Sequence, residues 1–302
     1  MFATLLGSLP RPPLAADAAP VDLLAFIVRV QEEAGLEPVT DGGYGIGDSV
    51  VERWRMTATL TARPVKVALP GPYSLGQASP TGADARTERT LLAADRLRMD
   101  LIALAAAGCP IIEVHEPAAT TIGADEARRT LFREAHLRAL DGVSGVHLSL
   151  AITGGNADAA GIDTLLAAAY AALAVDLVGG PDNWRLVVAT PGDRGIVCGA
   201  LSAERDADDR PELLLWAAGY AASTGGRGPS RVGMATASSL ARLPWEVALR
   251  KLRVLGEAAR LADLPPDERR RHLDPRAVDI RSAALGRVEL RPRGEESAPD
   301  EA

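Results

Sequence analysis

The stretch RTLLAADRLRMDLIALAAAGCPIIEVHEPA, Arg89 to Ala118, contains one full step of a rhythm that runs through the whole chain. Its first part carries Leu and Ala at steps of three and four residues, the spacing that lays an apolar stripe along one side of a helix. Gly108 ends that pattern, because glycine accepts the left-handed backbone that closes a helix. PIIEVHEP (110–117) then reads as a short strand bounded by prolines, with Glu113 and His115 on one face.

The same alternation recurs on both sides. ATLLGSL (3–9), PVTDGG (38–43), VKVALPG (65–71), VHLSLAIT (146–153), VDLVGG (175–180), GIVCGAL (195–201) and RVGMATA (231–237) complete a set of eight candidate strands. Helix-like segments fall between most of them: VDLLAFIVRVQEEAG (21–35), GIDTLLAAAYAALA (161–174) and PWEVALRKLRVLGEAARLA (244–262). In the last of these, Pro244 suits a first turn, and Ala248, Leu252, Leu255 and Ala259 line one face. Eight strands alternating with helices predict a (β/α)8 barrel over residues 1–286, followed by a polar tail at 287–302. A doubly wound open sheet is the competing architecture, but no G-x-G-x-x-G turn follows the first strand.

Composition narrows the function classes. Of 302 residues, 47% are hydrophobic and 24% charged, as expected of a globular chain, and the net charge of -7 argues against nucleic-acid binding. Cys109 and Cys198 are far apart and form no metal knuckle or disulfide framework. The opening MFATLLGSLPRPP has no basic residue before its apolar run and reads as neither signal peptide nor anchor. With no apolar run of membrane-spanning length, a cytoplasmic protein acting on a small molecule is expected.

In a barrel, chemistry gathers where strands end and the following loops begin. That rule selects Ser8, Asp41, Tyr73, His115, Glu116, His147, Ser149, Asn156, Ser202 and Thr236. Paired glycines at 42–43, 154–155 and 179–180 would leave the mouth roomy enough for a flat ligand such as a pterin.

Several of these strand ends, in order, resemble the catalytic barrel of cobalamin-independent methionine synthase and its single-barrel relatives. LLGSLPRP (5–12) is similar to the family's I-G-S-F-P-R opening, and PVTDGGYGIGDSV (38–50) to its D-G-E segment. LPGPYSLG (69–76) resembles the T-G-P stretch, and AAGCPIIEVHEPA (106–118) the A-G-x-x-x-I-Q-I-D-E-P-A signature. The likeness continues through VHLSLAIT, VDLVGG, GIVCGALSA and RVGMATASSLARLPWE and implies the same (β/α)8 fold. It also implies methyl transfer from methyltetrahydrofolate to a zinc-bound thiol. At the family's zinc positions, however, this chain offers His147, Ser149, Val178 and Thr236 in place of His, Cys, Glu and Cys. A valine and two hydroxyls cannot replace two thiolates and a carboxylate, so the resemblance comes without the zinc site. Gly43 and His115 stand where the family places carboxylates against the ammonium group of homocysteine.

The expected activity is therefore transfer of a methyl or one-carbon group to an acceptor other than homocysteine, with a reduced folate as a compatible donor and no metal. His115, Glu113 and His147 would move protons, a carboxylate beside an imidazole being a usual acid–base arrangement. Ser8, Asp41, Tyr73, Glu116, Ser149 and Asn156 would hold the substrate, although Glu116 in its E-P turn could equally hold the next loop. Two rival readings remain. One is metal-free acid–base chemistry, for which the distantly related uroporphyrinogen decarboxylases are a precedent, and the other is a ligand-binding barrel without turnover.

Overall fold

The computed structural model describes residues 1–269 apart from 16, 79–81, 208 and 266; the expected tail at 287–302 lies outside the described residues. The elements run β1 (Phe2–Thr4), α1 (Pro20–Ala34), α2 (Val50–Ala58), β2 (Lys66–Pro70), α3 (Pro72–Gln77), α4 (Ala83–Ala107) and β3 (Ile111–His115). They continue with α5 (Glu126–Leu140), β4 (His147–Ile152), α6 (Ile162–Leu165), β5 (Ala172–Asp176), α7 (Trp184–Ala189) and β6 (Gly195–Leu201). The last are α8 (Pro211–Ser223), β7 (Val232–Thr236) and α9 (Trp245–Ala262). Among the described residues the strands make one curled parallel sheet of seven, in the order β1-β7-β6-β5-β4-β3-β2.

The candidate strand at 38–43 is reduced to a single bridge, Val39 opposite Val65. Its neighbours explain why. Pro38 has no N–H, Gly42 and Gly43 turn the chain at positive φ, and both backbone groups of Thr40 are taken by the Gln31 side chain of α1. The segment still bonds to both sheet edges. Glu37 N–H donates to Ala3 O at 2.8 Å on the β1 side, and Lys66 N–H donates to Val39 O at 2.8 Å on the β2 side.

A second departure concerns 161–174. One turn of helix forms at α6, and β5 begins at Ala172, earlier than the expected strand at 175. Alanine favours helix in isolation, but here Leu173 and Val175 bury beneath the helical layer while Ala172 and Ala174 turn inward, and that burial prevails. Elsewhere the expectation holds: α4 stops at Gly108 with φ 91°, and α9 buries Ala248, Leu252, Leu255 and Ala259. Helix α9 approaches α1 so closely that a Cβ at Gly256 would overlap Ala34 O. No helix among the described residues is long and apolar enough to cross a membrane.

Strand alternation divides the interior in two. Ile112, Val114, Leu148, Leu150, Ile196, Val232 and Met234 face the helices and form the large core. The opposite face carries Leu6, Ala151, Ala174, Val197 and Ala235, packed with Phe2. Barrels usually fill their inner face with Val, Ile and Leu, but the concave face of this curled sheet, its lumen, is lined largely by Ala and Gly on β4 to β7, which leaves space.

Candidate functional site

At the C-terminal ends of the strands, hydrogen bonds tie the loops together. Ser8 N–H donates to Ser239 Oγ at 3.1 Å, the Ser239 hydroxyl donates to Ser8 O at 3.2 Å, and Leu9 N–H donates to Gly42 O at 2.9 Å. Asp41 sits beside them and accepts from Gly43 N–H at 2.9 Å. Ser8 and Asp41 are thus brought together at the mouth. Asn156 is exposed on the next loop cluster, where its amide both donates to Asp182 Oδ2 and accepts from Asp182 N–H. Ser202, nearly buried after β6, accepts from Glu204 N–H at 3.0 Å.

Three residues expected to hold substrate are placed otherwise: Ser149 lines the cavity at the strand starts, and Tyr73 and Glu116 are buried. Tyr73 is fully buried on the helix side of the sheet, edge-on to Phe132 of α5, and does not face the mouth. Glu116 has no exposure, and its oxygens accept from Tyr73 N–H (2.8 Å), Ser74 N–H (2.7 Å) and the Ser74 hydroxyl (2.5 Å). The imidazole of His136 lies 3.1 Å away and bonds through its other nitrogen to Tyr170 Oη at 2.7 Å. Glu116 therefore holds the first turn of α3 and the loop beside it.

The centre of the lumen contains a charge chain that the residue pattern had only half disclosed. Glu113 (β3) accepts a hydrogen bond from Lys66 Nζ on Oε2 at 3.0 Å, pairs with the same ammonium through Oε1 at 2.9 Å, and lies 2.8 Å from His115 Nε2. Lys66 also donates to Leu5 O at 2.9 Å. Lys66 was missed because VKVALPG reads as an apolar strand. Its parity was the available signal: Lys66 alternates with Ala68, and Ala68 registers opposite Glu113. Burial alone would push the Glu113 carboxyl up, but the ammonium of Lys66 and the imidazole of His115 together hold it down to about 2.

An ionised carboxylate can only accept, so Glu113 fixes the neutral His115 ring with its proton on Nε2. The basic atom is then Nδ1, which has no hydrogen-bond partner among the described residues. The side chain of His115 keeps 18% exposure, against 2% for Glu113. A base backed by a buried anion results. The depressed carboxyl also links stability to pH. Glu113 stabilises the fold fully above its ordinary value of 4.5, and that contribution is lost as pH falls from 4.5 towards about 2. It amounts to about 3 kcal/mol. Urea titrations between pH 6 and pH 2 are expected to show a steep loss that Glu113→Gln flattens.

His147 does not join this chain. It is the first residue of β4, in register with Ile111, whereas His115 registers with Ala151 near the other end of the strand. Four residues of strand separate the two levels, about 13 Å along the strand. The expected alternation of His147, Ser149 and Ala151 on one face is present, but it carries His147 to the N-terminal end of the lumen. There His147, Ser149 and Glu113 line a cavity of about 1250 Å³ that opens at the strand starts.

The remaining zinc-position residues are dispersed. The Thr236 hydroxyl is bonded to both backbone groups of Leu6 at 3.0 Å, and Val178 is exposed. Asp176, the acidic residue at the end of β5, uses its oxygens on Gly154, Val178 and Gly179 N–H groups. Cys198 faces α8 and Cys109 lies two residues before β3; burial pushes their thiols up to about 12 and about 11. Among the described residues no group of three or more His, Cys, Asp or Glu converges as a metal-ligand set.

No family model and no curated protein matches the chain in sequence. Solved structures do match its fold. A B12-independent methionine synthase from Shewanella sp. W3-18-1 is similar at a TM-score of 0.72 and 17% identity, over 86% of this chain and 96% of that one. A methyltransferase from Methanosarcina mazei is similar at 0.59 and 14% identity, over 85% and 92%. At these identities the likeness is one of fold.

Proposed function

We propose that this chain is a (β/α)8 barrel enzyme of the methionine-synthase type that transfers a methyl or one-carbon group without zinc, to an acceptor other than homocysteine. Segment 37–42 serves as the eighth strand. Its bonds to both sheet edges support closure, and methyltransferase-like neighbours support the reaction class. The residues at the family's zinc positions do not fit the metal: a bonded threonine, an exposed valine and a histidine at the far end of its strand leave no thiolate or carboxylate to gather around it.

The observation that carries the reading is the chain Lys66–Glu113–His115. As the acceptor attacks the methyl carbon, its X–H proton passes to Nδ1 of His115, and the donor atom keeps the electron pair of the broken bond and takes a proton from solvent. The imidazolium so formed lies against the buried Glu113 carboxylate, which stabilises it without moving. Ser8 and Asp41 at the mouth would orient the acceptor.

The test measures methyl transfer from 5-methyltetrahydrofolate to a panel of thiols and amines, with zinc quantified after growth in added zinc. The expected result is turnover with metal far below one equivalent, and a drop of about 10²–10⁴-fold in kcat for a folded His115→Gln variant. One tightly held zinc per chain with homocysteine as the acceptor would overturn the reading.

A further inference from the structure

We propose that the cavity within the sheet, open at the N-terminal ends of the strands, binds a flat, uncharged heteroaromatic molecule presenting an N–H and a C=O on one edge. This site lies at the opposite end of the lumen from the mouth where the methyl-transfer reading places its acceptor, and it stands independently of that reading.

Three observations carry it. The first is space. The cavity of about 1250 Å³ exceeds the usual range for small-molecule sites, about 300–1,000 Å³. It exists because Ala172 and Gly195 occupy lumen positions where barrels ordinarily place branched residues. The second is an unpartnered polar group. Ser149 is 3% exposed, lines the cavity, and its Oγ has no hydrogen-bond partner. A buried hydroxyl left unmet is unfavourable, and it can both donate and accept, which an adjacent N–H and C=O would satisfy together.

The third is charge. The anion in register with Ser149, Glu113, is already paired with the Lys66 ammonium at 2.9 and 3.0 Å. Partial burial keeps the His147 imidazole below its ordinary value, so it faces the cavity uncharged near neutral pH. Besides Glu113, the lining carries five acidic side chains together with Arg231, Arg253 and Arg260, so both signs of charge are present and an anion is not selected. Flatness follows from the walls. Phe2 lines the cavity, its ring lying against Gly233, and gives a flat ligand an aromatic neighbour, while Ala3, Ala172 and Gly195 in the same lining add little bulk.

Isoquinolin-1(2H)-one presents the required edge on two fused rings; naphthalene has the same shape without it, and 2-naphthoate carries a charge. Titration followed by protein NMR is expected to show isoquinolinone binding below about 1 mM, with naphthalene about tenfold weaker. Ser149→Ala is expected to bind both alike. Ala172→Leu, which places a branched side chain in register beside Ser149, is expected to weaken binding of both. Absence of isoquinolinone binding to the native chain would overturn the proposal, as would undiminished binding to Ser149→Ala or tightest binding of 2-naphthoate. Should Ala172→Leu fail to fold, Ser149→Ala alone decides.

Discussion

Replacing Lys66 with methionine is expected to destabilise the fold by about 3–5 kcal/mol, the largest loss from any single charge deletion in the lumen. The side chain is 3% exposed, pairs with both oxygens of Glu113 at 2.9 and 3.0 Å and donates to Leu5 O. Methionine fills similar volume, so packing survives while the carboxylate keeps only His115 as a partner. Glu113 must then take up a proton or remain as a poorly compensated buried anion, and either is unfavourable. The double variant Lys66→Met/Glu113→Leu separates charge from packing. It removes both ions and is expected to recover most of the loss, since exchanging a whole buried pair for apolar groups is often nearly neutral. Urea unfolding at pH 7 measures both. A single variant within about 1 kcal/mol of the native protein would mean that water reaches the pair.

The chain's architecture was largely readable because outward strand faces are strongly apolar. Ile112–Val114 and Leu148–Leu150 mark strands whichever way the rest of the sheet is arranged, and Gly108 stops a helix by backbone geometry alone. Where the reading failed, tertiary contacts decided. The strand at 38–43 depended on Gln31, nine residues from Thr40, claiming both its backbone groups. The alanine run ahead of β5 looked helical until Leu173 and Val175 had a core to enter.

The site was harder to read for a different reason. A strand's face can be counted from sequence, but its height along the sheet cannot. His147 was placed on the correct face and at the wrong end, because the apolar run could have started two residues earlier or later. Lys66 escaped notice because a buried lysine is legible only through its partner, which sits on another strand.

Glu116→Ala is expected to cost about 3–5 kcal/mol and to act through the fold, leaving Tyr73 N–H and Ser74 N–H without their acceptor. Glu116→Gln should lose less, since it keeps one carbonyl oxygen for those donors. Gly71 tests the same arrangement from the other side. Its φ of -78° is open to any residue, so backbone strain does not require glycine there. The requirement is steric, because a Cβ at 71 would overlap the Glu116 carboxyl group. Gly71→Ala alone should therefore push Glu116 off the start of α3 and destabilise by about 2–3 kcal/mol. Once Glu116 is alanine, the clash is gone and the second substitution should add little. The G71A/E116A cycle is thus expected to show a coupling of at least about 1 kcal/mol. Additive losses would mean that the G-P and E-P turns act separately. Strong coupling would show that two motifs about 45 residues apart are one structural device, and that the acidic residue of the E-P turn is held for the fold.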